Sequence, residues 1–388
     1  MRYAARGLGR QILAAARGFG SVVVTGPRRA GKTYLLRHLL PNADYVLLED
    51  PDILARVRSD PRGFLAERRP PVILDEIQNA PELFNYVRSL LDHSPRRTGQ
   101  WFLAGSQEAA LMAGVTESLA GRAAIFQLLP LSMAESPKVD LFSGGYPEVI
   151  ARPRQRDAWF SSYIQSYLER DVRAVTNVRD LSTFRRFLGL VASRHGQVLN
   201  RSDLAQPLGV SVPTIGEWLS ILEVTGQIFI VPPYFENFGK RLIKSPKVYL
   251  ADSGLACYLL GIRSRDELAR SPFRGALFEG LVAAEIAKAQ LNAGGRKELY
   301  FFRDRPGLEV DFLFPRGRSL WLVEAKASGT VFPSDARAVR ALMTARKGAK
   351  SAVGIVVHQE TRNASPTSVL AEGVRALPLG ALVAELNG

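Results

Sequence analysis

The chain has 388 residues, 46% of them apolar and 23% charged, a globular composition with material for about two or three packed domains. No apolar run reaches the roughly 18 to 20 residues that cross a bilayer, so no membrane is expected; the single cysteine, Cys257, excludes an intrachain disulfide and reads as a small buried hydrophobe. The formal net charge of +14 is densest over residues 151–250, where 14 Lys and Arg stand against 8 Asp and Glu, which makes DNA or RNA a candidate partner.

The opening segment, MRYAARGLGRQILAAARGFG, is Arg-rich, amphipathic and free of acids. A strand follows at once with no spacer for cleavage, so a surface helix is expected rather than a transit peptide, and a cytoplasmic protein. Strands are predicted at Ser21 to Thr25, Asp44 to Leu48, Pro71 to Leu74, Trp101 to Ala104 and Ala124 to Leu129. Helices are predicted at Lys32 to Leu40 and from about Pro81 to Leu91. Strands interleaved with helices indicate an α/β domain, a parallel sheet covered on both faces. After Gly144-Gly145-Tyr146-Pro147 the pattern turns helical, from Trp159 to about Glu223, followed by a strand at Gln227 to Val231. The last part is mixed. It reads as a helix at Phe273 to Leu291 and strands at Leu299 to Phe302, Leu308 to Phe314, Leu320 to Ala325 and Ala352 to Val357. The boundaries expected are 1–140, 141–240 and 241–388.

Gly26-Pro27-Arg28-Arg29-Ala30-Gly31-Lys32-Thr33 has the spacing of a P-loop, after a strand and opening a helix. The two glycines let the backbone curl so that successive N–H groups face phosphates, and the helix N-terminus adds its positive dipole end. Lys32 is placed to neutralise the β and γ phosphates, and Thr33 to ligate Mg²⁺. Val72-Ile73-Leu74-Asp75-Glu76 is a buried strand ending in two acids; Asp75 would hold Mg²⁺ and Glu76 would orient the attacking water. ATP is therefore the expected ligand, with hydrolysis as the expected chemistry. Ser106, after the next strand, is placed to touch the γ-phosphate, or else lies in an ordinary turn. Arg122, before the fifth strand, reads either as an arginine finger, to a neighbouring subunit of a homo-oligomer, or as a structural ion pair.

The motifs GPRRAGKT, VILDEIQ, LAGSQ, SLAGR and GGYPEV, followed by SYLERDV, SPKVYLADSGLA, FRGALFEGLVAAEI, FFRDRPGLEVDFLF and LVEAKAS, span nearly the whole chain. They resemble the prokaryotic AAA-type ATPases that carry a C-terminal domain of unknown function. The resemblance implies ATP binding and slow ATPase activity.

Between these ends, Arg201 to Ile228 reads as helix, turn, helix, strand: Ser202 caps the first helix, Gly209 makes the turn, and Ser211 caps the second. This is a winged-helix pattern, with a wing over Asn237 to Lys244. The second helix, VPTIGEWLSILE, has no Lys or Arg, whereas Lys240, Arg241, Lys244 and Lys247 equip the wing for phosphate, so the domain reads either as a DNA contact or as a scaffold linking the two ends. In the last part, Glu279 on a helix, Asp311 on a strand and the pair Glu324 and Lys326 resemble the PD-(D/E)XK nuclease-like core, a restriction-endonuclease-like α/β fold. The resemblance implies that Asp311 and Glu324 hold a second Mg²⁺ or a Mn²⁺, that Lys326 activates water, and that Glu279 helps position the metal. Arg303 would contact phosphate or pair with Glu309 or Asp311.

The sequence thus supports an ATP-hydrolysing switch acting on nucleic acid, with a nuclease-like domain. The competing reading is a non-nuclease, ATP-dependent regulator of protein interactions.

Overall fold

The computed structural model describes residues 4–105, 118–168, 181–234, 244–345, 351–359 and 368–388. The chain forms two compact units: residues 1–131 with 224–226 and 291–295, and residues 132–223, 227–290 and 296–388.

In the first unit, β1 (Ser21–Thr25), β2 (Asp44–Leu47), β3 (Val72–Asp75), β4 (Trp101–Ala104) and β5 (Ala123–Gln127) form one sheet in the order β2-β3-β4-β1-β5. All four pairings are parallel. Its three central strands, β1, β3 and β4, are buried on both faces, and the period of two sorts their residues between them. Val23, Leu74 and Leu103 point to one layer, with Phe84 and Leu91 of α5 (Leu83–His93). Val22, Val24, Ile73 and Phe102 point to the other, with Ile12 of α1 (Gly9–Ala15) and Leu35 and Leu36 of α2 (Lys32–Leu39). The expected surface helix at the start is therefore docked: Leu8 and Ile12 are wholly buried. Two helices absent from the sequence reading, α3 (Pro51–Ser59) and α4 (Pro61–Ala66), follow β2. Each starts with Asp then Pro; Asp50 accepts from the Asp52 N–H at 2.9 Å and Asp60 from that of Gly63 at 2.9 Å. Caps of this kind contribute about 1 kcal/mol each.

The second unit begins with a helical stretch, α6 (Pro147–Ala151), α7 (Arg156–Tyr163) and α8 (Leu181–Ser193). There follow β6 (Gln197–Val198), α9 (Arg201–Leu208), α10 (Val212–Val224), β7 (Ile228–Val231) and β8 (Lys247–Leu250), with the sheet order β6-β8-β7. β8 lies beyond residue 240 yet is the central strand, antiparallel to both neighbours. Asn200 caps α9, its side chain accepting from the Ser202 N–H at 3.0 Å, in place of the expected Ser202. Ser211 accepts from the Thr214 N–H at 3.2 Å, as expected for α10, and Gly209 takes a left-handed φ of 66° between the helices.

The chain continues through α11 (Ser253–Leu259), α12 (Arg265–Arg270) and α13 (Arg274–Asn292). It then enters β9 (Tyr300–Arg303), β10 (Glu309–Arg316), β11 (Ser319–Lys326), α14 (Arg337–Ala345), β12 (Ser351–His358), β13 (Ser368–Ala371), β14 (Val374–Pro378) and α15 (Leu379–Asn387). The sheet order is β13-β14-β12-β11-β10-β9. β9, β10 and β11 are antiparallel; after α14 the chain returns as β12, parallel to β11. The family motifs GGYPEV and SPKVYLADSGLA meet here. Asp252 accepts from the Gly145 N–H at 2.7 Å and from the Leu255 N–H at 2.9 Å, so one carboxylate caps α11 and fixes the Gly144-Gly145 turn. A Cβ at Gly144, where φ is 70°, would lie 2.2 Å from that carboxylate, so the position requires glycine.

Candidate functional site

The P-loop leaves the C-terminal end of β1, and the parallel register brings the end of β3 to the same edge with β4 between them. The loop takes its curve from three left-handed residues, Gly26 (φ 142°), Arg29 (φ 62°) and Gly31 (φ 98°). A Cβ at Gly26 would lie 2.0 Å from the Leu128 carbonyl oxygen, so the first glycine is fixed by packing against the chain after β5 as well as by φ. Lys32 is 5% exposed, and its Nζ donates to the Gly26 and Pro27 carbonyls at 3.0 Å each, closing the loop over itself. Arg6, from the opening segment, donates to the Ala30 carbonyl at 2.8 Å and to that of Leu129, supporting the loop from the side of the sheet. Sequence reasoning missed this brace.

Thr33 and Asp75 meet as their spacing implied: the Thr33 hydroxyl donates to Asp75 Oδ2 at 2.7 Å. Tyr45 on β2, not singled out from the sequence, donates to the same oxygen at 2.9 Å, and the Glu76 N–H donates to Oδ1 at 3.2 Å. Burial raises the Asp75 carboxyl above the ordinary aspartate value, while the hydrogen bonds from Thr33 and Tyr45 pull it back down. Burial, and then the Asp75 charge, raises the Tyr45 hydroxyl, which stays a donor. A hydroxyl and a carboxylate oxygen side by side form a hard donor pair that suits Mg²⁺. Glu76 adopts a left-handed φ of 54°, uncommon outside glycine, and its carboxylate accepts from the Gln78 amide.

Ser106 lies outside the described residues. Arg122 stands at the other edge of the sheet. Its carbonyl accepts from the N–H of Ser21, the first residue of β1, so a β-strand's length separates it from this chain's own P-loop. Its guanidinium is paired with Asp92 at 2.5 and 3.2 Å.

In the second unit, Glu279, Asp311, Glu324 and Lys326 converge. Asp311 and Glu324 are one step beyond the paired Phe312 and Val323, hence opposite each other on β10 and β11. The hairpin is tight, since β10 runs to Arg316 and β11 starts at Ser319. Lys326 Nζ pairs with Glu324 Oε1 at 2.7 Å, and Asp311 Oδ2 accepts the Ala325 N–H at 2.9 Å. Burial, and then the Asp311 charge, pushes Glu279 up to about 7 and Glu324 up to about 8.

Lys247, expected on a solvent-facing wing, is instead 2% exposed and sits among these acids. Its Nζ is 2.9 Å from Glu279, 2.7 Å from Glu309 and 3.6 Å from Asp311. The wing residues Lys240 and Arg241 lie outside the described residues. Arg303, its side chain still 41% exposed, pairs with Glu309 at 3.4 Å. Among the described residues no group of three or more His, Cys, Asp or Glu is arranged to hold a metal ion. Cys257 is buried, and burial pushes its thiol up to about 12.

A parallel sheet in the order β2-β3-β4-β1-β5, a P-loop after β1 and an acid pair ending β3 define a P-loop domain of the AAA type. Residues 19–136 match the family model described as AAA domain. Residues 138–266 and 274–382 match two domains of unknown function, DUF8612 and DUF4143. Uncharacterized proteins of Mycobacterium tuberculosis and Mycobacterium bovis are each 31% identical over 339 residues, covering 86% of this chain and 75% of theirs. The chain belongs to the same family as these two proteins, and its first unit is an AAA-type ATPase domain. Among solved structures, a Walker-type ATPase of Pyrococcus abyssi is similar at 16% identity with a TM-score of 0.44, over 65% of this chain and 94% of that one. No helix among the described residues is long and apolar enough to cross a membrane.

Proposed function

We propose that the protein is a Mg²⁺-dependent ATP hydrolase that works as a nucleotide-driven switch on nucleic acid. The observation that carries the nucleotide half is the Thr33 to Asp75 hydrogen bond, which joins the P-loop to the acid-bearing strand 42 residues away. When bound there, Mg²⁺ would supply the positive charge that offsets the phosphates. Gly26, Pro27, Arg28, Arg29, Ala30 and Gly31 supply the backbone cradle for the phosphates. Lys32 turns its Nζ from two loop carbonyls to the β and γ phosphates. Thr33 and Asp75 would hold the cation, and Ser106 is assigned to the γ-phosphate. Glu76 accepts a proton from the attacking water. Arg122 is assigned to a neighbouring copy's nucleotide, because it stands at the wrong edge of the sheet for its own.

The nucleic-acid half rests on charge and on the middle of the chain. The order α8, β6, α9, α10, β7, β8, with β8 between its partners, supports the winged-helix reading. The order α13, β9, β10, β11, α14, β12 supports a restriction-endonuclease-like fold after it. One observation favours the regulator of protein interactions instead: the exposed face of α10 presents Glu217 and Glu223 and no cation. ATP turnover measured with and without single- and double-stranded DNA and RNA separates the two. Stimulation by a nucleic acid supports the first reading; turnover indifferent to all of them supports the second. A folded protein that neither binds nor hydrolyses ATP overturns both.

A further inference from the structure

The PD-(D/E)XK resemblance implies a divalent cation among Glu279, Asp311 and Glu324, and the side chains present do not fit one. We infer that Lys247 is the resident cation of this cluster, and that the centre is closed to divalent metal and to metal-dependent cleavage. The inference is independent of the nucleotide site.

Three observations support it. The first is position. Lys247 Nζ lies within 3.6 Å of carboxylates from α13 and β10, with Glu279, Glu309 and Asp311 around it. A cation held by Glu279 and Asp311 would have to occupy the volume of that ammonium. The second is donor accounting. Glu279 Oε1 accepts from Lys247 and from the Tyr249 hydroxyl; Asp311 Oδ1 faces Lys247 and its Oδ2 takes the Ala325 N–H. Glu309 is shared between Lys247 and Arg303, and Glu324 Oε1 belongs to Lys326. Among these, Glu324 Oε2 is the buried oxygen with no hydrogen-bond partner among the described residues. Mg²⁺ takes about six oxygens at roughly 2.0–2.1 Å, several of them from water, and the carboxylate oxygens nearest Lys247 are already engaged by its ammonium, by Tyr249 or by a backbone N–H.

The third is rigidity. Lys247 opens β8, the central strand of its sheet, with Val231 and Val198 as its register partners on either side. Its side chain is 3% exposed, with Nζ 5.5 Å from the centre of the Phe301 ring. Glu279, Glu309 and Asp311 surround the ammonium on β8. A buried lysine anchored on a central strand and paired with three carboxylates is an internal counter-ion, standing where a metal would have to go.

The test is Mn²⁺ binding to the nucleotide-free full chain, followed by loss of the free Mn²⁺ paramagnetic resonance signal, in an Asp75→Asn background that silences the P-loop cation pair. The chain with Lys247 intact is expected to bind no Mn²⁺ below about 1 mM, and Lys247→Met to bind one ion at least tenfold more tightly. One Mn²⁺ per chain with Lys247 intact, lost on adding Asp311→Asn, would overturn the inference. So would a folded Lys247→Met chain that gains no site. If Lys247→Met does not fold, Lys247→Met with Glu309→Gln removes one of the stranded charges and takes its place under the same criteria. If neither folds, the Lys247-intact measurement decides alone.

Discussion

Replacing Lys32 with alanine tests the nucleotide site at the residue whose geometry is most specific. In the structure its Nζ is spent on two neutral carbonyls, those of Gly26 and Pro27, at 3.0 Å each. Redirected to phosphate oxygens, the same donors make charge-assisted bonds of about 1.5–3 kcal/mol each. Losing two of them weakens binding by about 3–6 kcal/mol, roughly 150-fold or more in Kd. The alanine variant also removes the brace across the loop, so its thermal unfolding is followed beside the parent's to show that the unit is folded. The assay is fluorescence anisotropy of a labelled ATP analogue titrated with each protein in excess Mg²⁺. A folded Lys32→Ala chain with parental affinity would show that the phosphates do not sit in this loop.

Glu76→Gln is expected to bind ATP as the parent does and to hydrolyse it roughly 10²–10⁴ times more slowly, since the amide cannot take the water's proton; parental single-turnover rates would give that role to another group. Arg122→Ala should slow turnover with little change in ATP affinity, and the parent's specific activity should rise with protein concentration as a neighbour supplies the guanidinium. A full-rate Arg122→Ala chain would leave the residue as the partner of Asp92 alone. His195 gives a pH signature. It is wholly buried with Nδ1 accepting the Leu250 N–H, and burial pushes its pKa down to about 4, against about 6.5 in an unfolded chain. The unfolded chain therefore takes up the proton first on acidification. The stability present above pH 6.5 falls by about 3 kcal/mol as the pH drops from about 6.5 to 4. Urea unfolding of the parent and of His195→Phe across that range should give a shallower slope for the variant, the carboxylates being common to both; equal slopes would refute the assignment.

The sequence by itself determined the first unit's sheet and its chemistry. Val22, Val23 and Val24 between glycines could only be a buried strand, and the P-loop and acid-pair spacings placed Gly26, Lys32, Thr33 and Asp75 at one edge, where they are found. The grouping of Asp311 with Glu324 was legible through the nuclease-like resemblance, and the antiparallel register of β10 and β11 sets the two opposite each other. These features are local, written within a strand, a turn and a helix start. What the tertiary structure alone decided came from far along the chain. Arg6 supports a loop more than 20 residues away, Tyr45 reaches an aspartate on the neighbouring strand, and Arg122 is turned to the edge opposite its own P-loop. Lys247 is the sharpest case. Its neighbours in sequence gave it the look of a solvated basic wing, yet β8 runs as a central strand and carries it beneath Glu279, Glu309 and Asp311. Strand order is set by which apolar faces can be buried together, and that is a property of the whole unit. The charge of a side chain is fixed by its type, but whether it meets water, phosphate or a buried carboxylate depends on segments that no local spacing encodes.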